Sequence, residues 1–283
     1  MIRVPVAFNE LLRKQWEKQR FLCVGLDTDY AKLPKGIRQT SIADAIFEFN
    51  RLIIEATADF CGAYKPNIAF YEGYGLEGLD ALIRTNRYLR EHYPDIPIIL
   101  DAKRADIGST NQGYVKMVED VFLAHGITVH PYLGREALLP FLERPHLGVI
   151  VLCHTSNPGA SEFQDLAVAG GEPLYRKVAE AVYREWNTQG NCGLVLGATY
   201  PEQLSEVRKA APDLPFLIPG VGAQGGDLEQ TVKNGLDEKG AGIIINASRS
   251  IIYASSGDDF AEAARNEAKK MDRAIKAVVQ RLS

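Results

Sequence analysis

The sequence predicts an α/β fold, a closed (β/α)8 TIM barrel, on three observations. Short apolar runs recur at 21–26, 61–65, 96–100, 126–130, 148–152, 192–196, 216–218 and 242–245, eight in all. Most are rich in Val, Ile and Leu and lack polar alternation, the pattern of parallel strands covered on both faces. Segments with helical spacing separate them, and eight strand-helix units favour a closed barrel over an open doubly wound sheet.

Taken in chain order, a helix over 8–19 precedes the first strand. Ile42, Ile46, Phe49, Ile53 and Ile54 mark one face of a helix over 42–60, and Leu79, Leu82, Ile83 and Leu89 do the same over 78–93. A long terminal helix spans about 258–282, with Phe260, Ala264, Met271, Ile275 and Val279 expected to face inward. No linker or low-complexity segment interrupts the pattern, so residues 1–283 are expected to form a single domain. Two longer connections, 28–39 and 157–172, follow the first and fifth strands and hold several Gly and Pro residues. Loops after strands form the functional rim of a barrel, which makes both candidate lids.

Of the 283 residues, 46% are hydrophobic and 24% charged, enough for a large core. A formal charge of −4 argues against nucleic acid or an anionic membrane surface as the main partner, since both favour a basic balance. No stretch approaches the ~20 apolar residues of a membrane helix. Residues 1–9 lack the apolar segment of a secretion signal, so a cytoplasmic location is expected. Cys23, Cys61, Cys153 and Cys192 form no CxxC pair, and core packing is expected of each.

Polar residues at the C-terminal ends of barrel strands converge on one mouth. Asp27 ends the first strand, Lys65 the second, His130 the fourth and His154 to Ser156 the fifth. Gln224 follows the seventh strand and Arg249 the eighth. After the third strand, residues 101–106 read Asp-Ala-Lys-Arg-Ala-Asp, placing Lys103 between two carboxylates that favour its charged form. Such a set can surround a reactant whose charge changes during reaction. His130 and His154 are flanked by apolar sequence and are read as hydrogen-bonded strand-end residues.

Residues 220–225 read Gly-Val-Gly-Ala-Gln-Gly, which matches a dinucleotide fingerprint but comes after six complete units. In a barrel this position instead suits a single phosphate, with glycines admitting backbone N–H groups and Arg249 supplying a guanidinium fork. No HExxH, EF-hand, GxSxG or Walker sequence occurs.

Three segments together closely resemble the orotidine 5′-phosphate decarboxylase family, in its longer bacterial subgroup. They are Asp101-Ala-Lys-Arg-Ala-Asp106-Ile-Gly-Ser-Thr110, Ala63-Tyr-Lys65-Pro-Asn67 and Pro219-Gly-Val-Gly-Ala-Gln224-Gly-Gly. The resemblance spans 21 to about 253, and the initial helix, the loop after Asn157 and the long tail are extras relative to compact members. It implies decarboxylation of orotidine 5′-monophosphate (OMP) to uridine 5′-monophosphate (UMP), without cofactor or metal. Related metal-dependent phosphosugar barrels present an acidic ligand where this chain has Lys65, and an ammonium should repel a divalent cation.

Carried over residue by residue, the resemblance implies that Asp27 binds ribose hydroxyls and that Lys65 bridges ribose and Asp101. Asp101 would face the substrate carboxylate and Lys103 would protonate the carbon that loses it. Asp106 and Thr110 would reach into a neighbouring subunit's site, which implies a homodimer. Ser156 would contact the pyrimidine, with Thr155 as a rival, and Gln224 and Arg249 would hold the phosphate.

Overall fold

In the computed structural model, which describes residues 6–222 and 226–282, eight parallel strands alternate with helices. The strands are β1 (Leu22–Leu26), β2 (Cys61–Pro66), β3 (Ile99–Arg104), β4 (Gly126–Val129), β5 (Gly148–His154), β6 (Cys192–Leu196), β7 (Phe216–Pro219) and β8 (Ile243–Ala247). Their hydrogen-bonded order is β2-β1-β8-β7-β6-β5-β4-β3. The two ends of that row meet through parallel bridges at Tyr64–Ile98 and Asn67–Asp101, where Tyr64 N donates to Pro97 O (3.0 Å) and Ile68 N to Asp101 O (3.2 Å). The barrel thereby closes and leaves no long free edge.

Helix α1 (Phe8–Glu17) lies under the barrel. Its Phe8 and Leu12 pack against the inward residues Cys23, Ala63, Ile99, Ile150, Val195, Leu217 and Ile244, and Trp16 Nε1 donates to Ile243 O at 2.8 Å. Room for the Phe8 ring comes from Gly148, the first residue of β5. A Cβ there would meet Phe8 Cδ1 at 2.2 Å. The N-terminal mouth is plugged in this way, and the C-terminal mouth is left for chemistry.

The outer layer comprises α2 (Ile42–Thr57), α3 (Ala69–Glu72), α4 (Gly75–His92), α5 (Gly108–Lys116), α6 (Gly134–Leu142), α7 (Leu174–Ala181), α8 (Pro201–Ala210), α9 (Leu228–Gly235), α10 (Arg249–Ile252) and α11 (Phe260–Leu282). Ser41 caps α2 by accepting Asp44 N at 3.1 Å, and α2 buries Ile46, Phe49, Ile53 and Ile54 as its spacing predicts. It stops at Thr57 rather than at 60, where Phe60 N turns back onto Thr57 O. Along α11 the buried stripe runs through Phe260, Ala264, Ala268, Asp272, Ile275 and Val279. Met271 is half-buried and packs against the same core, as expected, and Asp272 is buried at the edge of this face. Asp272 tolerates this position by pairing with Lys276 at 2.8 Å.

All four cysteines are free and buried. Among the described residues, no helix is long and apolar enough to cross a membrane.

Gly148→Ala is expected to displace the Phe8 ring and lower unfolding free energy by about 1–3 kcal/mol in urea titration. Combined with Phe8→Leu, the loss should be smaller than the sum of the two single losses, because both act on one contact.

Candidate active site

Strand β3 runs past the expected end at Leu100 and carries its charges as far as Arg104. Its register with β4 breaks there: Leu100 pairs with Ile127 and Arg104 with Val129, so residues 101–103 lie opposite Thr128 alone. Within this bulge Lys103 has φ +47°, a left-handed conformation uncommon for a residue with a side chain. Such backbone persists only where its surroundings hold it.

Four side chains alternate in sign across the mouth. Asp101 Oδ2 accepts Lys65 Nζ at 2.9 Å and Asp101 Oδ1 accepts Lys103 Nζ at 2.6 Å, while Lys65 Nζ lies 4.0 Å from Asp27 Oδ1. Lys65 and Asp101 are buried, but the Lys103 side chain is 49% exposed at the cavity. Burial pushes the Asp101 pKa up, yet Lys65 and Lys103 outweigh it and hold the carboxyl well below the usual carboxylate range. Burial likewise opposes the charge on Lys65, and Asp101 and Asp27 more than offset it, so its pKa lies above the ordinary lysine value.

This corrects the expected pattern of a lysine between two acids. Asp106 makes no ion pair with Lys103 within the chain; its Oδ1 accepts Ile107 N at 2.6 Å. Asp101 is the group in the middle, with an ammonium on each oxygen. The physical reason is the turn after Arg104, where Asn111 accepts Asp106 N and donates to Asp106 O, drawing Asp106 toward α5. Thr110 is exposed on α5, and neither Asp106 nor Thr110 lines the cavity of its own chain.

Asp27 is fixed from behind. Tyr253 OH donates to Asp27 O (3.1 Å) and accepts Asp29 N (2.7 Å), and Tyr71 OH donates to Leu26 O (2.8 Å). Asn50 ties Tyr71 to Thr28, so the end of β1 rests on a fully buried polar network. The Oδ1 atoms of Asp27 and Asn246 are buried without a hydrogen-bond partner among the described residues, and both residues line one cavity with Lys65, Asn67 and Asp101. Buried acceptors of this kind are ordinarily satisfied, so the pair suits a ligand that offers hydroxyl donors.

Beyond them the same cavity reaches Gly220, Val221 and Arg249. Gly220 and Gly222 have φ of +99° and +69°, conformations that suit glycine. Arg249 is exposed at the mouth, and among the described residues it makes no ion pair, so its guanidinium is available to an anion. Gln224 lies outside the described residues.

An adjoining cavity shares Lys65, Asp101 and Pro219 with the first. Lys103, Thr128, Leu152, Ser156, Val195 and Leu217 line it, giving an apolar floor under a charged edge. Thr155 Oγ1 is engaged, donating to Asn157 Oδ1 at 2.6 Å and accepting from Gln164 Nε2 at 2.9 Å. The Ser156 hydroxyl has no partner among the described residues. Its backbone presses on Gly197, where a Cβ would meet Ser156 Cα at 2.6 Å.

Loop 157–172 contributes Asn157 and Gln164 to this wall and is pinned by a 2.9 Å contact between Asp165 Oδ1 and His154 Nε2. His154 sits edge-on between Tyr175 and Tyr200, and His130 Nδ1 accepts Tyr132 N; neither ring lines the two cavities. Sequence reasoning missed Asn67, Thr128, Gln164 and Asn246. Asn246 and Asn67 obey the strand-end rule already applied to their neighbours. Thr128, between Ile127 and Val129, carries no signal that separates it from an ordinary strand residue.

Residues 20–266 match the model of the orotidine 5′-phosphate decarboxylase / HUMPS family. An orotidine 5′-phosphate decarboxylase of Azoarcus sp. (strain BH72) is 48% identical over 272 residues, 95% of this chain and 98% of that protein. Among solved structures, Leishmania donovani OMP decarboxylase superposes with a TM-score of 0.80 at 38% identity, covering 94% of this chain and 99% of the other. Leishmania donovani UMP synthase superposes with a TM-score of 0.86 at 40% identity, covering 97% of this chain, which spans 57% of that longer protein.

Asp101→Asn should leave Lys65 buried with only Asp27 nearby and lower stability by about 3–5 kcal/mol at pH 7. The Asp101 carboxylate stabilises above its unfolded pKa of about 3.9 and is lost as pH falls through its depressed folded value. Lys65 stabilises below its unfolded pKa of about 10.4 and is lost as pH rises through its raised folded value. Denaturation curves across pH should therefore show the largest gap from wild type between those limits, narrowing at both ends.

Proposed function

The chain belongs to the orotidine 5′-phosphate decarboxylase family, and on that footing we propose how its residues carry out the reaction. It is a carboxy-lyase that converts OMP to UMP in pyrimidine biosynthesis, and we place it in the cytoplasm. The single observation that carries the mechanistic reading is the alternating row Asp27, Lys65, Asp101, Lys103 at the barrel mouth.

When the bond from C6 to the carboxyl group breaks, its electron pair remains on C6 in an orbital that the pyrimidine ring cannot delocalise. A fixed positive charge beside C6 is therefore the effective catalyst. Lys103 supplies it, and its N–H bond then breaks as the proton passes to C6, leaving a neutral amine to be reprotonated from solvent. Asp101 orients the ammonium and stands against the departing carboxylate. Repulsion between unit charges ~4 Å apart is about 4 kcal/mol at an effective dielectric near 20. A slow uncatalysed decarboxylation demands on the order of 20 kcal/mol, so electrostatic preorganisation and remote binding energy supply the larger share.

Remote binding falls to the other residues. Asp27, with its unpartnered Oδ1, and Lys65 take the ribose hydroxyls. Ser156, whose hydroxyl is free where that of Thr155 is engaged, takes the pyrimidine edge. Arg249 and the loop carrying Gly220 and Gln224 take the phosphate. No step in this scheme calls for a metal or an organic cofactor.

We assign Asp106 and Thr110 to the site of a second copy of this chain. Their position outside their own cavity supports this, as does Ile107 between Asp106 and Gly108, an apolar side chain 62% exposed. The functional unit is then a homodimer.

In an ultraviolet assay of OMP decarboxylation, Lys103→Ala should lose nearly all turnover while still binding UMP. Arg249→Ala should mainly weaken binding, by about 1.5–3 kcal/mol for a charged hydrogen bond. Near-normal turnover by Lys103→Ala would overturn the mechanism. Mixing inactive Lys103→Ala with inactive Asp106→Asn under exchange conditions should restore about a quarter of wild-type activity, since half the dimers then hold one intact site. No recovery on mixing would refute the shared site.

A further inference from the structure

We propose that Thr128 is a positioning residue for decarboxylation, one that holds both the Asp101 carboxylate and the backbone of Lys103 so that the ammonium is aimed into the cavity. The inference rests on the reading of Lys103 as the proton donor. It assigns to Thr128 a role that its position in an apolar strand does not announce.

A threonine hydroxyl offers one donor and two acceptor lone pairs. Here all three are used, and all on the same segment. Thr128 Oγ1 donates to Asp101 Oδ1 at 2.9 Å and accepts Ala102 N and Lys103 N, each at 3.0 Å. The side chain is 1% exposed, so water does not compete for these bonds.

The bulge explains why a side chain is needed. With residues 101–103 set against Thr128 alone, β3 and β4 are out of step, and the N–H groups of Ala102 and Lys103 turn to the hydroxyl rather than to a strand carbonyl. Buried N–H groups without partners are strongly disfavoured, so the hydroxyl is what permits the bulge. The bulge in turn permits φ +47° at Lys103, which breaks the ordinary in-and-out alternation of a strand just where the ammonium leaves the backbone. Asp101 Oδ1 accepts both this hydroxyl and Lys103 Nζ, so one threonine oxygen holds the backbone beneath the ammonium and the acid that steers its tip.

The test compares Thr128→Val, which keeps shape and removes the hydroxyl, with Thr128→Ser, which keeps the hydroxyl. Both are assayed for OMP turnover and UMP affinity beside wild type and Lys103→Ala. Thr128→Val should lower kcat by about tenfold to a hundredfold, which is about 1.4–2.7 kcal/mol on the barrier. UMP affinity should stay within about threefold of wild type, and Thr128→Ser should recover kcat to within about threefold. Should Thr128→Val fail to fold, Thr128→Ala reads the same split without placing a methyl group against the bulge.

Unchanged kcat in the hydroxyl-free variant overturns the inference and leaves the decarboxylase mechanism standing. Equal losses in kcat and UMP affinity that serine does not repair also overturn it, as these describe general damage. An inactive wild type, or an active Lys103→Ala, would overturn the mechanism and this inference with it.

Discussion

One carboxylate accepting two ammoniums, Asp101 between Lys65 and Lys103, is the contact on which the rest of the mouth depends. Desolvating any one of these ions alone is unfavourable, so none has a stable place without the others. Their mutual pairing keeps the buried Lys65 and Asp101 charged and in place, whereas Lys103 keeps half its side chain toward the cavity. The array is a rigid base with one exposed tip. A fixed cation of that kind stabilises charge developing beside it without reorganising during the reaction.

Strand geometry makes this array possible. Lys65 comes from β2 and Asp101 from β3, the two strands whose bridges close the barrel, and the bridge between Asn67 and Asp101 lies at the site itself. The contacts that close the barrel therefore also set Lys65 beside Asp101. At the opposite end, α1 fills the floor with Phe8 and Leu12, so the apolar interior is sealed from below and opens only where the charges stand. In the proposed reading the two adjoining cavities divide the labour: an apolar floor under Lys103 for a planar base, and a polar end with Asp27, Asn246 and Arg249 for a sugar phosphate.

Much of this was legible in the residues. Eight unalternating apolar runs gave all eight strands, and the strand-end rule selected Asp27, Lys65, Asp101, Lys103, Ser156 and Arg249, which the fold brings to one mouth. The reach of β3 was not legible, because a charged segment after an apolar run reads as a loop, and only pairing with β4 keeps it extended. Nor was the order of charges: spacing alone placed Lys103 between Asp101 and Asp106, but a left-handed lysine and the hydrogen bonds of Asn111 separate it from Asp106. Thr128 stayed hidden for a related reason, since its importance comes from a register break that no local pattern encodes.

The central claim is that the lysine tip held by Asp101 meets the carbon that loses its carboxyl group. A crystal structure with UMP bound tests it most directly. Lys103 Nζ is expected within about 3–3.5 Å of pyrimidine C6, with Asp101 still accepting both lysines. A bound pyrimidine whose C6 faces any other group, with the Lys103 ammonium turned to solvent, would contradict it.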